Sequence, residues 1–132
     1  MTDTITLRGL VATTPRHIVT SDGLPITSFR LASTTRRFDR TENRWIDGDT
    51  NWYTITAFRQ LAVNAAQSIT KGQRIILTGV IRIREWESDE RTGTNVEVES
   101  ESIGHDLAWG TAVFSRSVST TSEQEPAEAV SA

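Results

Sequence analysis

Trp52, Phe58, Arg82, Arg84 and Trp86 are the residues of this chain whose types and spacing suit chemistry with a ligand. The run Asn-Trp-Tyr-Thr-Ile-Thr-Ala-Phe-Arg from Asn51 is rich in β-formers. Alternation puts Trp52, Thr54, Thr56 and Phe58 on one face and Tyr53, Ile55 and Ala57 on the other. Both faces carry apolar bulk, so periodicity alone leaves open which one is inside. From Gln73 to Trp86 the chain reads as a second strand. Leu77, Gly79, Ile81 and Ile83 share one of its faces, while Arg82, Arg84 and Trp86 share the other at the far end. Guanidinium groups and a flat ring projected together meet what single-stranded nucleic acid offers, namely phosphates and unstacked bases. The bland reading is that the rings fill a barrel core and the arginines are solvated charges on a hairpin.

Thr34 to Asp49 is polar and dense in arginine, and reads as a long hairpin loop. It holds Phe38 and Trp45 among Arg36, Arg37, Arg40 and Arg44. Rings in such a loop are costly to leave in water unless a ligand stacks on them or the loop folds back over its own sheet. Phe38 is the better candidate of the two for a ligand contact.

Catalysis finds little support. Gly72-Gln-Arg lacks the Gly-Lys-Ser/Thr ending of a phosphate loop, and the acids lie in turns or on an exposed edge. No cysteine is present, which excludes disulfides, thiolate metal sites and cysteine nucleophiles together. His17 and His105 stand apart with no cysteine to complete a ligand set, so neither a metal nor another cofactor is expected.

The elements that must hold these side chains are mostly strands. Thr4 to Val11 is a first strand, with a bend or bulge expected near Gly9 and an interruption at Thr-Thr-Pro-Arg. His17 to Thr20 resumes an extended course, Ser-Asp-Gly at 21–23 makes a turn, and Phe29 and Leu31 face one way on a strand from Ile26 to Ser33. Leu61, Ala65 and Ile69, at a spacing of four, mark a short helix ending at Gly72. A second hairpin at 88–94 leads to a strand from Asn95 to Ile103, on which Val96 and Val98 alternate with Glu97 and Glu99. Its acidic outer face is not expected to touch phosphate. About five strands, with one helix between the third and fourth, predict an all-β fold: a five-stranded Greek-key barrel of the OB type.

Length allows one domain, assigned to residues 1–114. Residues 115–132, rich in Ser, Thr, Glu, Ala and Pro, bury too little to offset their ordering entropy and are expected to be a disordered tail. The net charge of −3 comes from that tail from Ser117 on, whose three glutamates leave residues 1–116 neutral. Thirteen of the fourteen basic residues are arginine, the base that both stacks and forks onto phosphate. No apolar run has the length of a membrane span and no signal peptide is visible, so a cytoplasmic location is expected.

With these residues in hand, the chain resembles the bacterial single-stranded DNA-binding proteins from roughly Thr4 to Phe114. The matching pieces are Ile-Thr-Leu-Arg-Gly-Leu near the start, Phe-Arg-Leu-Ala-Ser-Thr at 29–34 and Trp-x-x-Ile-x-Ala-Phe-Arg at 52–59. Leu-Ala at 61–62, Lys-Gly-Gln-Arg-Ile-Ile-Leu-Thr-Gly at 71–79 and Arg-x-Arg-x-Trp ending at Trp86 follow in order. The resemblance implies base stacking at Trp52, Phe58 and Trp86, with a fourth stacking position at Phe38 or Arg37. Arg36, Arg37, Arg82 and Arg84 are then expected on phosphate. The arginine excess and the Arg-x-Phe-Asp-Arg form look like the branch from GC-rich Gram-positive bacteria. A homotetramer is implied as well, with Leu107 to Val113 as the segment that could clamp neighbouring subunits. Replicative members end in an aspartate run and Ile-Pro-Phe, whereas this chain ends Glu-Pro-Ala-Glu-Ala-Val-Ser-Ala, so recruitment of partner enzymes through the tip is not expected. The alternative is an OB-fold assembly module of the primosome kind that has lost its DNA.

Overall fold

The computed structural model describes residues 2–117, and the tail expected over 115–132 lies outside the described residues from 118 on. The elements in chain order are β1 (Thr4–Val11), β2 (Arg16–Val19), β3 (Pro25–Asp39), β4 (Arg44–Phe58), α1 (Arg59–Ser68), β5 (Arg74–Glu87) and β6 (Thr92–His105). The sheet order is β1-β5-β6-β4-β3-β2. Because β1 also pairs with β3, five of these strands close into a ring and β2 is added outside it. All pairings are antiparallel except β4 with β6. This is the expected OB-type barrel.

Closure depends on one strand serving two neighbours. β1 pairs with β5 from Thr4 to Leu10, while Leu10 and Val11 pair with Ala32 and Leu31 of β3. Gly9 sits at that exchange and does not break the strand as expected. A Cβ there would stand 2.5 Å from the Ala32 carbonyl oxygen, so a bare backbone is what lets β3 come this close.

The two hairpins are more regular than the sequence suggests. Pairing continues through Arg36↔Asp47 and Phe38↔Trp45 to Asp39↔Arg44, leaving a turn of four residues where a long loop was expected. Asn43 adopts φ 57° in that turn, a left-handed conformation asparagine tolerates. The segment is mostly polar because it projects beyond the barrel and has no core to cover. The second hairpin likewise extends its strands to Glu87 and Thr92.

Alternation along each strand fills the interior. Leu7, Val11, Phe29, Leu31, Ile55, Ile75, Leu77 and Val98 form one buried cluster. Helix α1, at the end of β4 remote from the hairpin, adds Ala65, and Ile69 just beyond it joins the same cluster. Thr27, fully buried on β3, donates its hydroxyl proton to the Ala62 carbonyl at 2.7 Å and meets His17 Nδ1 at 2.8 Å. The helix stops at Ser68, short of the expected Gly72. That glycine, at φ 95°, instead turns the chain into β5 with its N–H on the Val11 carbonyl.

After β6 the chain is pinned by Asp106. One carboxylate oxygen accepts the Ala108 N–H at 3.1 Å, and the other accepts Arg8 Nε and Nη2 at 3.3 and 3.2 Å. The Ala108 N–H first, and then Arg8, hold this carboxyl below its ordinary range although partial desolvation opposes them. The Arg74 guanidinium lies 4.1 Å from the centre of the Trp109 ring and holds the same turn. Beyond it Val113 and Phe114 are almost fully exposed.

The Ile55 side chain is wholly buried at the centre of this core. Ile55→Ala is expected to cost about 2–5 kcal/mol. Urea unfolding should show it as a lower midpoint at an unchanged slope, and an unmoved midpoint would mean that β4 does not turn this face inward.

Candidate nucleic-acid interface

Which face of β4 is inside is decided by the neighbours of Ile55 and Ala57, both fully buried. Trp52, Thr54, Thr56 and Phe58 therefore point outward. Trp52 is 51% exposed, while Phe58, where β4 runs into the helix, is half-buried opposite Ile26. On β5 the inward residues are Ile75, Leu77 and Gly79, which leaves Arg82, Arg84 and Trp86 on the outer side.

Register shows that these two outer faces are one surface. Arg30 of β3 pairs with Thr54 of β4, Thr54 with Glu97 of β6, and Glu97 with Arg82 of β5. Residues opposite one another in register point the same way. The row across the sheet is thus arginine, threonine, glutamate, arginine. The Arg30 guanidinium carbon lies 5.5 Å from the centre of the Trp52 ring, a cation–π distance. Trp86, 41% exposed, stands opposite Gly93. A Cβ built on Gly93 would overlap the Trp86 indole, so the ring is seated on bare backbone of the neighbouring strand.

Arg82 and Arg84 are not solitary cations. Arg82 Nη2 lies 3.7 Å from Glu99 and Arg84 Nε 3.0 Å from Glu97. All four side chains keep a third or more of their surface in water, so each pair is worth about 0–1 kcal/mol. The acidic face of β6 therefore lies within the surface that carries the rings.

The β3–β4 hairpin adds a second pair of rings. Phe38, 44% exposed, and Trp45 meet edge to face, with centres 5.6 Å apart and planes at 75°. Strict alternation from Trp52 would put Trp45 on the other side of β4. The register shifts between Thr34 and Arg36: Thr34 pairs with Thr50 but Arg36 with Asp47, so β4 carries one extra residue there. That bulge turns Trp45 and Asp47 onto the side of Phe38 and Arg36. Arg36 faces Asp47 at 3.9 Å, whereas Arg37 pairs with Ile46 and projects from the opposite side of the hairpin. Of the eight residues singled out in the sequence, seven share one outer surface and Arg37 does not.

Sequence alone ranks Trp45 below Phe38 and gives no reason to include Arg30. Gly48 is the available signal for the first, because a glycine inside a strand often marks a bulge; here a Cβ would come within 2.8 Å of the Thr35 hydroxyl. Arg30 has no local signal, since Trp52 lies on another strand. Among the described residues, no group of three or more His, Cys, Asp or Glu side chains could hold a metal ion. His105 Nε2 instead meets Gln73 at 2.9 Å.

Comparison with known proteins gives a consistent result. The model of the single-strand binding protein family matches residues 2–106. Single-stranded DNA-binding protein 2 of Tropheryma whipplei is 54% identical over 112 residues, covering 85% of this chain and 74% of that protein. Single-stranded DNA-binding protein 1 of Streptomyces coelicolor is 41% identical over 118 residues, 89% of this chain and 75% of that one. Among solved structures, the small single-stranded DNA-binding protein from Streptomyces coelicolor superposes with a TM-score of 0.76 at 38% identity, covering 83% of this chain and 98% of its own. The second single-stranded DNA-binding protein of Mycobacterium smegmatis gives 0.67 at 22% identity, over 88% and 100%, and attests the fold.

The seat of Trp86 can be tested without a ligand. Gly93→Ala should lift the indole off β6 and change the near-ultraviolet circular dichroism and the acrylamide quenching of tryptophan. Unfolding should move little, because position 93 is on the exposed hairpin. Unaltered spectra would show that the ring does not rest on Gly93.

Proposed function

The chain belongs to the single-strand binding protein family, and from that premise we propose that it binds single-stranded DNA, with little regard to sequence, across the outer surface of β3, β4, β5 and β6. The observation that carries the reading is the set of half-exposed rings on that surface. Trp52, Trp86 and Phe38 each leave 41% or more of their surface in water on a barrel that has a filled core elsewhere. Bases stacked on these rings and on Phe58 supply affinity that any sequence can use, because every base has a π-face. Arg36, Arg82 and Arg84 lie beside the rings, where the strand's phosphates would run. Arg37 reaches phosphate only if the strand wraps round the hairpin. The protein acts by binding, without a catalytic step, and shields single strands exposed in replication, recombination or repair. The cytoplasm, where chromosomal DNA lies, is its place of action. An assembly module without DNA would have no use for these rings in water.

The strand's path should be dominated by stacking. Trp52→Ala and Trp86→Ala are each expected to weaken poly(dT) binding by about 1–3 kcal/mol per stacked base. Titrations followed by tryptophan quenching measure this. Wild-type affinity in both folded variants would remove the stacking assignment.

We also infer a homotetramer. On one side β1 pairs with β5, but on the other only Leu10 and Val11 are paired, which leaves the edge from Thr4 to Gly9 open to another copy. Leu107, Trp109, Val113 and Phe114, more than half exposed, supply apolar surface for the segment that would lie across a neighbour. Sedimentation should give four chains per particle, and truncation after residue 106 should loosen the assembly. A monomer at micromolar concentration would contradict this reading.

A further inference from the structure

The carboxylates on β6 lie where a DNA-binding surface should have none. Glu97 pairs in register with Thr54 on one side and Arg82 on the other, in the row that begins at Arg30 beside Trp52. Its carboxylate is 3.0 Å from Arg84, and Glu99 is 3.7 Å from Arg82. A carboxylate and a phosphate offer a guanidinium the same thing, two anionic oxygens in a plane that matches its fork. Each arginine thus already has an anionic partner, through one nitrogen–oxygen contact. The four charges sum to zero, so a phosphate at Arg82 or Arg84 meets a cation whose charge is already balanced, with a carboxylate beside the incoming anion.

We propose that Glu97 and Glu99 are specificity-determining residues of this surface: they occupy Arg84 and Arg82 as internal surrogates for phosphate, so that stacking rather than charge decides what binds. This rests on the strand-binding reading above. A duplex offers phosphates and keeps its bases stacked on one another, so it gains little at a surface whose cations are neutralised. A single strand offers the same phosphates and in addition bases for Trp52 and Trp86. The carboxylates therefore widen the preference for single over double strands, and they flatten the dependence of binding on salt, because fewer phosphates are neutralised and fewer counterions are released.

The test uses the full chain carrying Glu97→Gln and Glu99→Gln together, with each single variant as a fallback should the pair fold poorly, and Glu101→Gln as a control. Glu101 lies on the same strand and makes no ion pair among the described residues. Poly(dT) and a duplex of mixed sequence are titrated at several salt concentrations. The double variant should bind poly(dT) about two- to fivefold more tightly at low salt, the range set by freeing exposed ion pairs. Its salt slope should steepen by about 0.7 for each additional phosphate neutralised on a single strand and about 0.9 on a duplex. Duplex binding should improve by the larger factor, since the denser polyanion benefits more from freed cations. Glu101→Gln should leave the ratio of the two affinities unchanged. A double variant with the selectivity and slope of the wild type would overturn the proposal, as would a shift in Glu101→Gln equal to that of either single variant, which would show an effect of net charge alone. Failure of the wild type to bind poly(dT) would instead overturn the function on which the proposal rests.

Discussion

A strand in a closed barrel has one face to give to the core, and every outward residue follows from what that face must bury. Leu31, Ile55, Leu77 and Val98 are wholly or almost wholly buried, and each sits on a different strand of the ring. Once these four point inward, Arg30, Trp52, Arg82 and Glu97 have to point outward together, because the strands are held in register by backbone hydrogen bonds. A slip of one residue on β4 would bury the threonines and expose Ile55. The outer surface is therefore as tightly specified as the core, although its side chains pack against little.

The strands continue well past the region that the core requires. β3 and β4 run on as a two-stranded arm to Asp39 and Arg44, and β5 and β6 do so to Glu87 and Thr92. Neither arm has a hydrophobic layer beneath it. Each carries instead a contact between an aromatic ring and its cross-strand neighbour: Phe38 against Trp45 on one arm, Trp86 over Gly93 on the other. Cross-strand contacts of this kind contribute about 0.2–1 kcal/mol each, enough to bias an arm toward one register without making it rigid. Phe38, Trp45 and Trp86 stay 41% or more exposed, so the side chains that order the arms are also the ones the arms present to solvent.

Charge on this surface is balanced rather than piled up. Arginines on β5 face the outward glutamates of the neighbouring β6, and Arg36 similarly faces Asp47 on the hairpin. A surface built this way lacks the strong positive field of proteins that grip the backbone. It fits a ligand recognised chiefly by its bases, and it agrees with a chain whose net charge is slightly negative.

Much of this was legible in the sequence because alternation is a local property. The period-two runs around Ile55 and Leu77, the helix between β4 and β5, and the grouping of Arg82, Arg84 and Trp86 on one face need only neighbouring residues to be read. The resemblance carried by Trp52, Phe58 and Trp86 named the family that the comparisons then showed. What the tertiary structure alone decided involves partners far apart in the chain. Both faces of β4 are apolar, and only the strands packed inside select Ile55 over Trp52. The bulge that brings Trp45 beside Phe38 exists as a mismatch between two strands and not in either one. Arg30 meets Trp52, and Glu97 meets Arg84, because β3, β4, β6 and β5 lie side by side in that order. Pairing of that kind depends on loop closure and on burial of the whole core, so no local pattern encodes it.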